Sequence, residues 1–213
     1  WIGDVNKSTG LGQAFDNIAP RILRENKYEL VAIGINYRGD TRDSYGCKIY
    51  QCDSQDPYGF QMFPGVVMNE RPDLIFIVHD EFAHKIYTDW LRQNAPQVPV
   101  IIFFPQDSCS VPTQYMDALR YATIPIVFSK YGYDMICYKF PEFKSKLKYI
   151  HFGINTDIFR PLPKEREEIR KLNNVSDKFV IGMVNRFNPR KMLPLGIRAF
   201  SLMFHGYDKC KCG

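Results

Sequence analysis

Apolar runs of strand length alternate with helical patterns through most of this chain, and this alternation restricts the fold more than any other feature. The runs are nearly continuous, which is typical of parallel strands that are buried on both faces. We therefore predict a doubly wound α/β fold, in which right-handed crossovers bring the C-terminal ends of the strands to one ligand-binding edge. The predicted strands lie in 28–36, 46–53, 72–80, 98–107, 123–130 and 145–154, and the predicted helices in 81–93, 112–122 and 131–140.

Three segments with different composition divide the chain. Residues 1–162 carry the alternating pattern, and 163–177 form a charged helical linker rich in Glu, Lys and Arg. Residues 178–213 start a second domain with one predicted strand, "KFVIGMVNRF", and one predicted helix, "LPLGIRAFSLMF". Because a single βα unit cannot bury both of its faces, we expect the natural chain to continue after Gly213. The short first run, "WIGD", leads us to expect missing residues before Trp1 as well.

Composition excludes several classes of protein. A content of 45% hydrophobic and 15% aromatic residues is enough for a packed core and unlike a disordered chain. The net charge of +5 is scattered, which favours phosphate or other small anions as ligands over nucleic acid. No run could span a bilayer and no secretory leader opens the chain, so we expect a cytoplasmic protein. The spacing of Cys210 and Cys212 does not match a zinc site, and we predict no metal site.

A loop of small residues precedes the first predicted helix. Ser8, Thr9, Gly10 and Gly12 lie in "STGLGQAFDNIAPRIL", whose later apolar residues have helical spacing. Glycines allow the backbone to approach a ligand, and a helix N-terminus attracts anions. No Gly-Lys-Ser/Thr follows and the third glycine of a dinucleotide fingerprint is absent. A site for an anion or a sugar and a plain tight βα turn both remain open.

Polar residues end two strong strands at the predicted ligand-binding edge. Asp107 follows "IIFFPQ" and can accept hydrogen bonds from a substrate hydroxyl, and "VHDE" (78–81) offers similar groups one strand away. The alternative is that Asp107 or Ser108 caps the next turn, and a histidine such as His79 is more often a packed residue than a catalytic one.

Three cations surround an Asn-Pro turn in "VNRFNPRK" (184–191). Arg186, Arg190 and Lys191 follow the strand predicted in the second domain and repel one another unless an anion lies between them. Charge-assisted bonds to a diphosphate contribute about 1.5–3 kcal/mol each. Solvated surface cations are the alternative.

The order of four blocks resembles the family 4 retaining glycosyltransferases, which have the GT-B fold of two Rossmann-like domains. Together the blocks cover about half of the chain, and the third departs from the family pattern at Phe152 and Asn155. The blocks are "GDVNKSTGLGQAFDNI", "FFPQDSCSVPTQYMDALRYATIPIVFSKYG", "IHFGINTDIFRP" and "FVIGMVNRFNPRK".

The resemblance implies transfer of a hexose from a UDP- or GDP-sugar to a hydroxyl acceptor on a glycan, protein or lipid. Arg186 and Lys191 would grip the donor diphosphate, Gly10 and Gly12 would approach the phosphate and the acceptor, and Asp107 would face the transferred sugar. The family uses no cofactor and generally no metal. Its donor base and ribose contacts match nothing in this sequence, so we do not expect full activity from these 213 residues alone.

Two other functions stay open. The chain could be a catalytically incomplete GT-B-like half that binds a glycan or a protein partner, or a Rossmann-like oxidoreductase or sugar epimerase. The missing third glycine disfavours the latter, and tight NAD binding would revive it. The basic segment "YKFPEFKSKLKY" (138–149) could contact an anionic membrane surface, although such a segment is more often a solvated face.

Overall fold

A computed structural model describes residues 1–5, 9–39 and 46–205. The chain forms two compact units, Trp1–Phe159 and Arg160–Gly213. The strands of the first unit are β1 (Ile2–Asp4), β2 (Val31–Ile35), β3 (Lys48–Gln51), β4 (Ile75–Val78), β5 (Val100–Phe104), β6 (Ile124–Val127) and β7 (Lys148–Tyr149). Its helices are α1 (Gly10–Arg24), α2 (Phe63–Glu70), α3 (Glu81–Asn94), α4 (Met116–Tyr121) and α5 (Lys130–Lys139), with 3-10 turns at Thr113–Tyr115 and Pro141–Ser145.

The strands form one seven-stranded sheet in the order β3-β2-β1-β4-β5-β6-β7, and every neighbouring pair is parallel. The chain builds outward from β1 to β3, then returns to the other side of β1 to add β4 to β7. The prediction of a Rossmann-like, doubly wound α/β fold is therefore confirmed. In such a sheet the crevice between β1 and β4, where the direction of building reverses, is the usual position of a ligand.

Two hydrophobic clusters cover the two faces of the sheet. The larger one packs α2, α3, α4 and α5 against alternate strand residues such as Ile77 and Ile102. The smaller one packs α1, through Phe15 and Ala19, against the other face. Because both faces are covered, β4 and β5 read as unbroken apolar runs rather than as alternating ones.

The first unit differs from the sequence-based expectation at two elements. The strand predicted over 145–154 is reduced to the two residues of β7, which pair with β6 only. The N–H of Ile150 still donates to Val127 of β6 at 3.0 Å, and residues 151–154 then leave the sheet, because an edge strand has a single neighbour to hold it. Helix α2 was not predicted, since its eight residues include Gly65 and two β-branched valines, which are weak helix formers.

The second unit contains the predicted charged helix as α6 (Pro163–Leu172), a 3-10 turn at Pro189–Lys191, and α7 (Leu193–His205). The strand predicted over 178–187 is wrong: the structure assigns no strand there, and these residues are exposed. A strand requires a hydrogen-bonded neighbour, and residues 160–205 contain no second strand to supply one. Only the helical half of the predicted βα unit is formed.

Candidate functional site

The register of the sheet brings polar residues together where the sheet reverses direction. Gly3 of β1 lies opposite Val78 of β4, which lies opposite Phe103 of β5. The residues that follow, Asp4 and His79, therefore lie in the next row at the C-terminal edge. Both are buried, at 6% exposure each. This edge, with the residues that end β4 and β5 and the N-terminus of α1, is called the switch-point site below.

Thr9 joins the end of β1 to the start of α1. Its hydroxyl donates a hydrogen bond of 2.7 Å to Oδ2 of Asp4 and accepts one of 3.0 Å from the backbone N–H of Gly12. The side-chain amide of Asn36, at the end of β2, reaches the same Asp4 oxygen at 3.3 Å. The threonine thus caps the helix and places its N-terminus beside the carboxylate. Ser8, the first residue of the predicted loop, lies outside the described residues.

The two loop glycines have different surroundings. Gly10 is the first residue of α1 and is exposed, and a Cβ added to it would meet no atom within 4 Å. Gly12, two residues further along the helix, is buried. Packing therefore does not require a glycine at position 10. The N–H groups of Gly12 and Gln13 both bond to Thr9, at 3.0 and 3.1 Å, and the positive end of the helix dipole favours an anionic ligand here.

His79 ends β4 and packs among aromatic rings. The rings of Tyr58 and Phe82 lie edge-on to the imidazole, at centroid distances of 5.5 and 5.2 Å. Nδ1 of His79 is buried and has no hydrogen-bond partner. Burial lowers the pKa of His79, against the opposing charges of Asp80 and Asp4. The imidazole is therefore neutral near pH 7, with one polar atom available to a ligand that displaces its apolar cover.

A second histidine lies beneath the first and was missed by sequence reasoning. Nε2 of His84 lies 2.9 Å from the carbonyl oxygen of His79, so this nitrogen carries the proton and donates. The ring is fully buried, and burial lowers its pKa from 6.5 to about 3. The spacing of His84, Tyr87 and Leu91 on α3 is that of a buried helical face, which was the available signal.

The end of β5 adds a carboxylate rim. Gln106 is buried, and its Nε2 donates 2.8 Å to the carbonyl oxygen of Ser108, whereas its Oε1 has no partner. Ser108 donates through Oγ to the carbonyl of Ser110 at 2.7 Å, so it braces the loop as the alternative interpretation stated. Asp107 is exposed. The pKa of Glu81 is raised, mainly by burial and to a smaller extent by the negative charges of Asp80 and Asp107.

The predicted diphosphate cations lie in the second unit. Arg186 is exposed, and Lys191 ends the 3-10 turn. The side-chain oxygen of Asn188 accepts a hydrogen bond of 2.9 Å from the backbone N–H of Arg190, which fixes the turn. The Asn-Pro turn expected from the sequence is thus formed, with its cationic side chains directed to solvent.

The basic segment 138–149 is partly engaged in the fold. Lys139 Nζ donates 2.7 Å to the carbonyl oxygen of Val111, and Lys146 donates to that of Arg120. Of its four lysines, Lys144 and Lys148 are the ones for which no such bond is recorded among the described residues.

The described residues contain neither a metal cluster nor a membrane-spanning helix. Within 1–5, 9–39 and 46–205, no three His, Cys, Asp or Glu side chains are grouped so that they could hold a metal ion. Cys210 and Cys212 lie outside those ranges. None of the helices described combines the length and apolar content needed to cross a bilayer.

Comparison with known proteins adds no assignment. No protein-family model matches the chain, and no curated protein matches it significantly. Interpretation of the switch-point site therefore rests on its own geometry and on the four sequence blocks that resemble the family 4 glycosyltransferases.

Proposed function

We propose that this chain is part of a retaining glycosyltransferase that moves a hexose from a UDP- or GDP-sugar to a hydroxyl acceptor. The first unit would supply the acceptor side of the reaction, and the turn that carries Arg186 and Lys191 would bind the donor diphosphate. No resident cofactor takes part, because the nucleotide sugar is the substrate. The function rests on the resemblance and on one structural observation, which is the composition of the switch-point site.

That observation is the combination of a helix N-terminus with buried and exposed polar groups at the reversal point of the sheet. The first turn of α1 presents the positive end of its dipole to an anion, and Gly10 has no side chain to hinder the approach of a ligand. Glu81 begins α3 two residues after the neutral His79, and Asp107 follows the neighbouring strand β5, so both offer carboxylates at this edge of the sheet. A helix N-terminus that attracts anions and carboxylates that accept hydrogen bonds from hydroxyl groups suit a ligand with both a phosphate and a sugar part.

Each group has a role in this proposal. Asp107 accepts a hydrogen bond from a hydroxyl of the transferred hexose and orients the sugar. Glu81 accepts the proton that the attacking hydroxyl loses. Its raised pKa makes this carboxylate a stronger base than an ordinary glutamate. Arg186 and Lys191 stabilise the charge that grows on the nucleoside diphosphate as the glycosidic bond breaks.

The test is hexosyl transfer by the native gene product, supplied with UDP- and GDP-sugars labelled in the hexose. Replacing both Arg186 and Lys191 by alanine should reduce kcat/KM on the order of a hundredfold or more, because two charge-assisted bonds are lost. Asp107→Asn should reduce transfer while leaving affinity for the free nucleoside diphosphate unchanged. Lys164→Ala, at an exposed lysine of α6, is the matched control and should retain activity.

Other outcomes would assign a different function. Glycan binding without turnover of any sugar nucleotide, unchanged in the double variant, would contradict the proposal and favour a binding module. Tight binding of NAD, with no affinity for nucleoside diphosphate sugars, would favour the oxidoreductase or epimerase.

A further inference from the structure

A groove lies beside the helix that covers the smaller hydrophobic cluster, away from the switch-point site. It encloses about 340 Å³ between α1 and the segment 150–154, and Phe103 of β5 forms its floor. One wall is formed by Ala14 and Ile18 of α1, and the other by apolar residues that include Ile154. The groove shares strand β5 with the switch-point site through Phe103, but it is not lined by Asp4, Thr9, His79 or Asp107.

The floor of the groove is aromatic and already packed. The ring of Phe103 lies 4.2 Å from that of Phe128 and 6.4 Å from that of Phe152, and the latter two lie 5.0 Å apart. Three rings that support one another form a rigid surface, so the groove does not depend on a ligand for its shape. A preformed apolar concavity of this volume is in the usual size range of small-molecule sites, about 300–1,000 Å³.

The rim of the groove is polar and carries a cation. Arg21, Asn17 and His151 line it. Nη1 of Arg21 donates to the backbone oxygen of Asn17, and the Asn17 amide donates 2.7 Å to the oxygen of Gln13. None of the ion pairs found among the described residues involves Arg21. Since a guanidinium has five N–H donors in a fixed plane, most of them remain for an anionic group at the rim.

We propose that this groove binds a small amphipathic anion, whose apolar chain or ring lies on Phe103 and whose carboxylate, sulfate or phosphate pairs with Arg21. An apolar ligand without charge would leave the guanidinium unused, and a fully polar anion would gain nothing from the aromatic floor. The inference is independent of sugar transfer, because it concerns residues that the proposed reaction does not use.

A fluorescent fatty acid, 11-(dansylamino)undecanoate, serves as the probe and is titrated into the native gene product. Decanoate and decanol then compete for the bound probe; they share an apolar chain and differ in the charged end. Saturable binding with one probe per chain is expected, with decanoate competing about tenfold better than decanol because of the charge-assisted bond. Arg21→Gln should remove most of this preference.

Gly153→Phe tests the location of the site. A Cβ at position 153 meets no atom within 4 Å, so the new ring can enter the groove without displacing the backbone. This variant should lose at least tenfold in probe affinity. Gly65→Phe is the matched control, since Gly65 of α2 is equally open and lies outside the groove. Should Gly153→Phe not fold, Ile154→Asp places a negative charge at an exposed groove residue and should weaken decanoate more than decanol.

Several results would overturn the proposal. Probe binding that is absent up to millimolar concentration, or equal in Gly153→Phe and the wild type, would show that the groove is not the site. Equal competition by decanoate and decanol would remove the role of Arg21. Probe binding that requires both the protein and vesicles of anionic lipid, and is absent without the vesicles, would indicate that the groove contacts a lipid surface instead. A dimer that Gly153→Phe converts to a monomer would mean that a second copy of the chain fills the groove.

Discussion

His84 gives the sharpest prediction about the first unit. Its ring is fully buried, Nε2 donates to the carbonyl of His79, and Nδ1 has no partner. Protonation would place a charge and an unsatisfied N–H at Nδ1 within the core. The folded protein therefore excludes the second proton, and burial holds the pKa at about 3.

The sign and size of the effect follow from linkage. The unfolded chain binds a proton at this histidine near pH 6.5, whereas the folded chain does so only near pH 3. The stabilisation is complete above pH 6.5 and is lost as the pH falls from there toward 3, by about 1.4 kcal/mol per pH unit. Between pH 7 and pH 5 this one group should lower the free energy of unfolding by about 2 kcal/mol.

Urea unfolding at the two pH values measures this loss. The protein has two tryptophans, Trp1 and Trp90, both in the first unit, so their fluorescence reports on that unit alone. His84→Gln keeps an amide donor for the His79 carbonyl but cannot titrate, and its loss between pH 7 and pH 5 should be smaller by about 2 kcal/mol. His151→Gln, at an exposed position, is the matched control for the substitution. Equal losses in wild type and His84→Gln would refute a buried neutral imidazole.

The remaining predictions use the same unfolding assay at pH 7. Gly132→Ala should destabilise by about 1–3 kcal/mol, because the new Cβ would lie 2.7 Å from Val127 Cγ2 and 2.9 Å from Gln106 atoms; unchanged stability would mean that the start of α5 moves away freely. Gly65→Ala should stabilise by about 0.5–1 kcal/mol, since α2 gains helix propensity without a contact to lose; a loss would contradict the open space there. Thr9→Ala should cost about 1 kcal/mol as a lost helix cap, and Thr9→Ser should restore most of it.

The sheet could be predicted because its strongest signals are local. Strands β4 and β5 lie inside long apolar runs bounded by proline and polar residues, and α3 follows β4 with clear helical spacing. Parallel pairing then follows from the alternation of strands and helices. The alternation does not predict the order of the strands in the sheet. That order, with its reversal at β1, depends on which strands pair in the folded chain.

The two wrong strand predictions share one cause, which is that strand formation depends on neighbours that a linear pattern does not reveal. The run 178–187 has the composition of a strand and no described partner to pair with. The run 145–154 has a partner on one side only, so two residues pair and the rest leave the sheet. These departing residues form one wall of the apolar groove. A failed strand prediction and an unexpected groove therefore have the same structural origin.

Some residues of the candidate site have a clear role in the fold, and others do not. Thr9 was predicted as a ligand residue, but its bonds to Asp4 and Gly12 already account for its presence. Loss of function in Thr9→Ala would therefore not separate a ligand contact from a damaged helix start. Arg186 and Lys191 are exposed, and exposed side chains contribute little to stability. A variant of these two that unfolds like the wild type by circular dichroism, which also reports on α6 and α7 of the second unit, and yet loses affinity for a nucleoside diphosphate has lost a contact with the ligand. Measuring both properties in that variant is thus more informative than any change at the helix N-terminus.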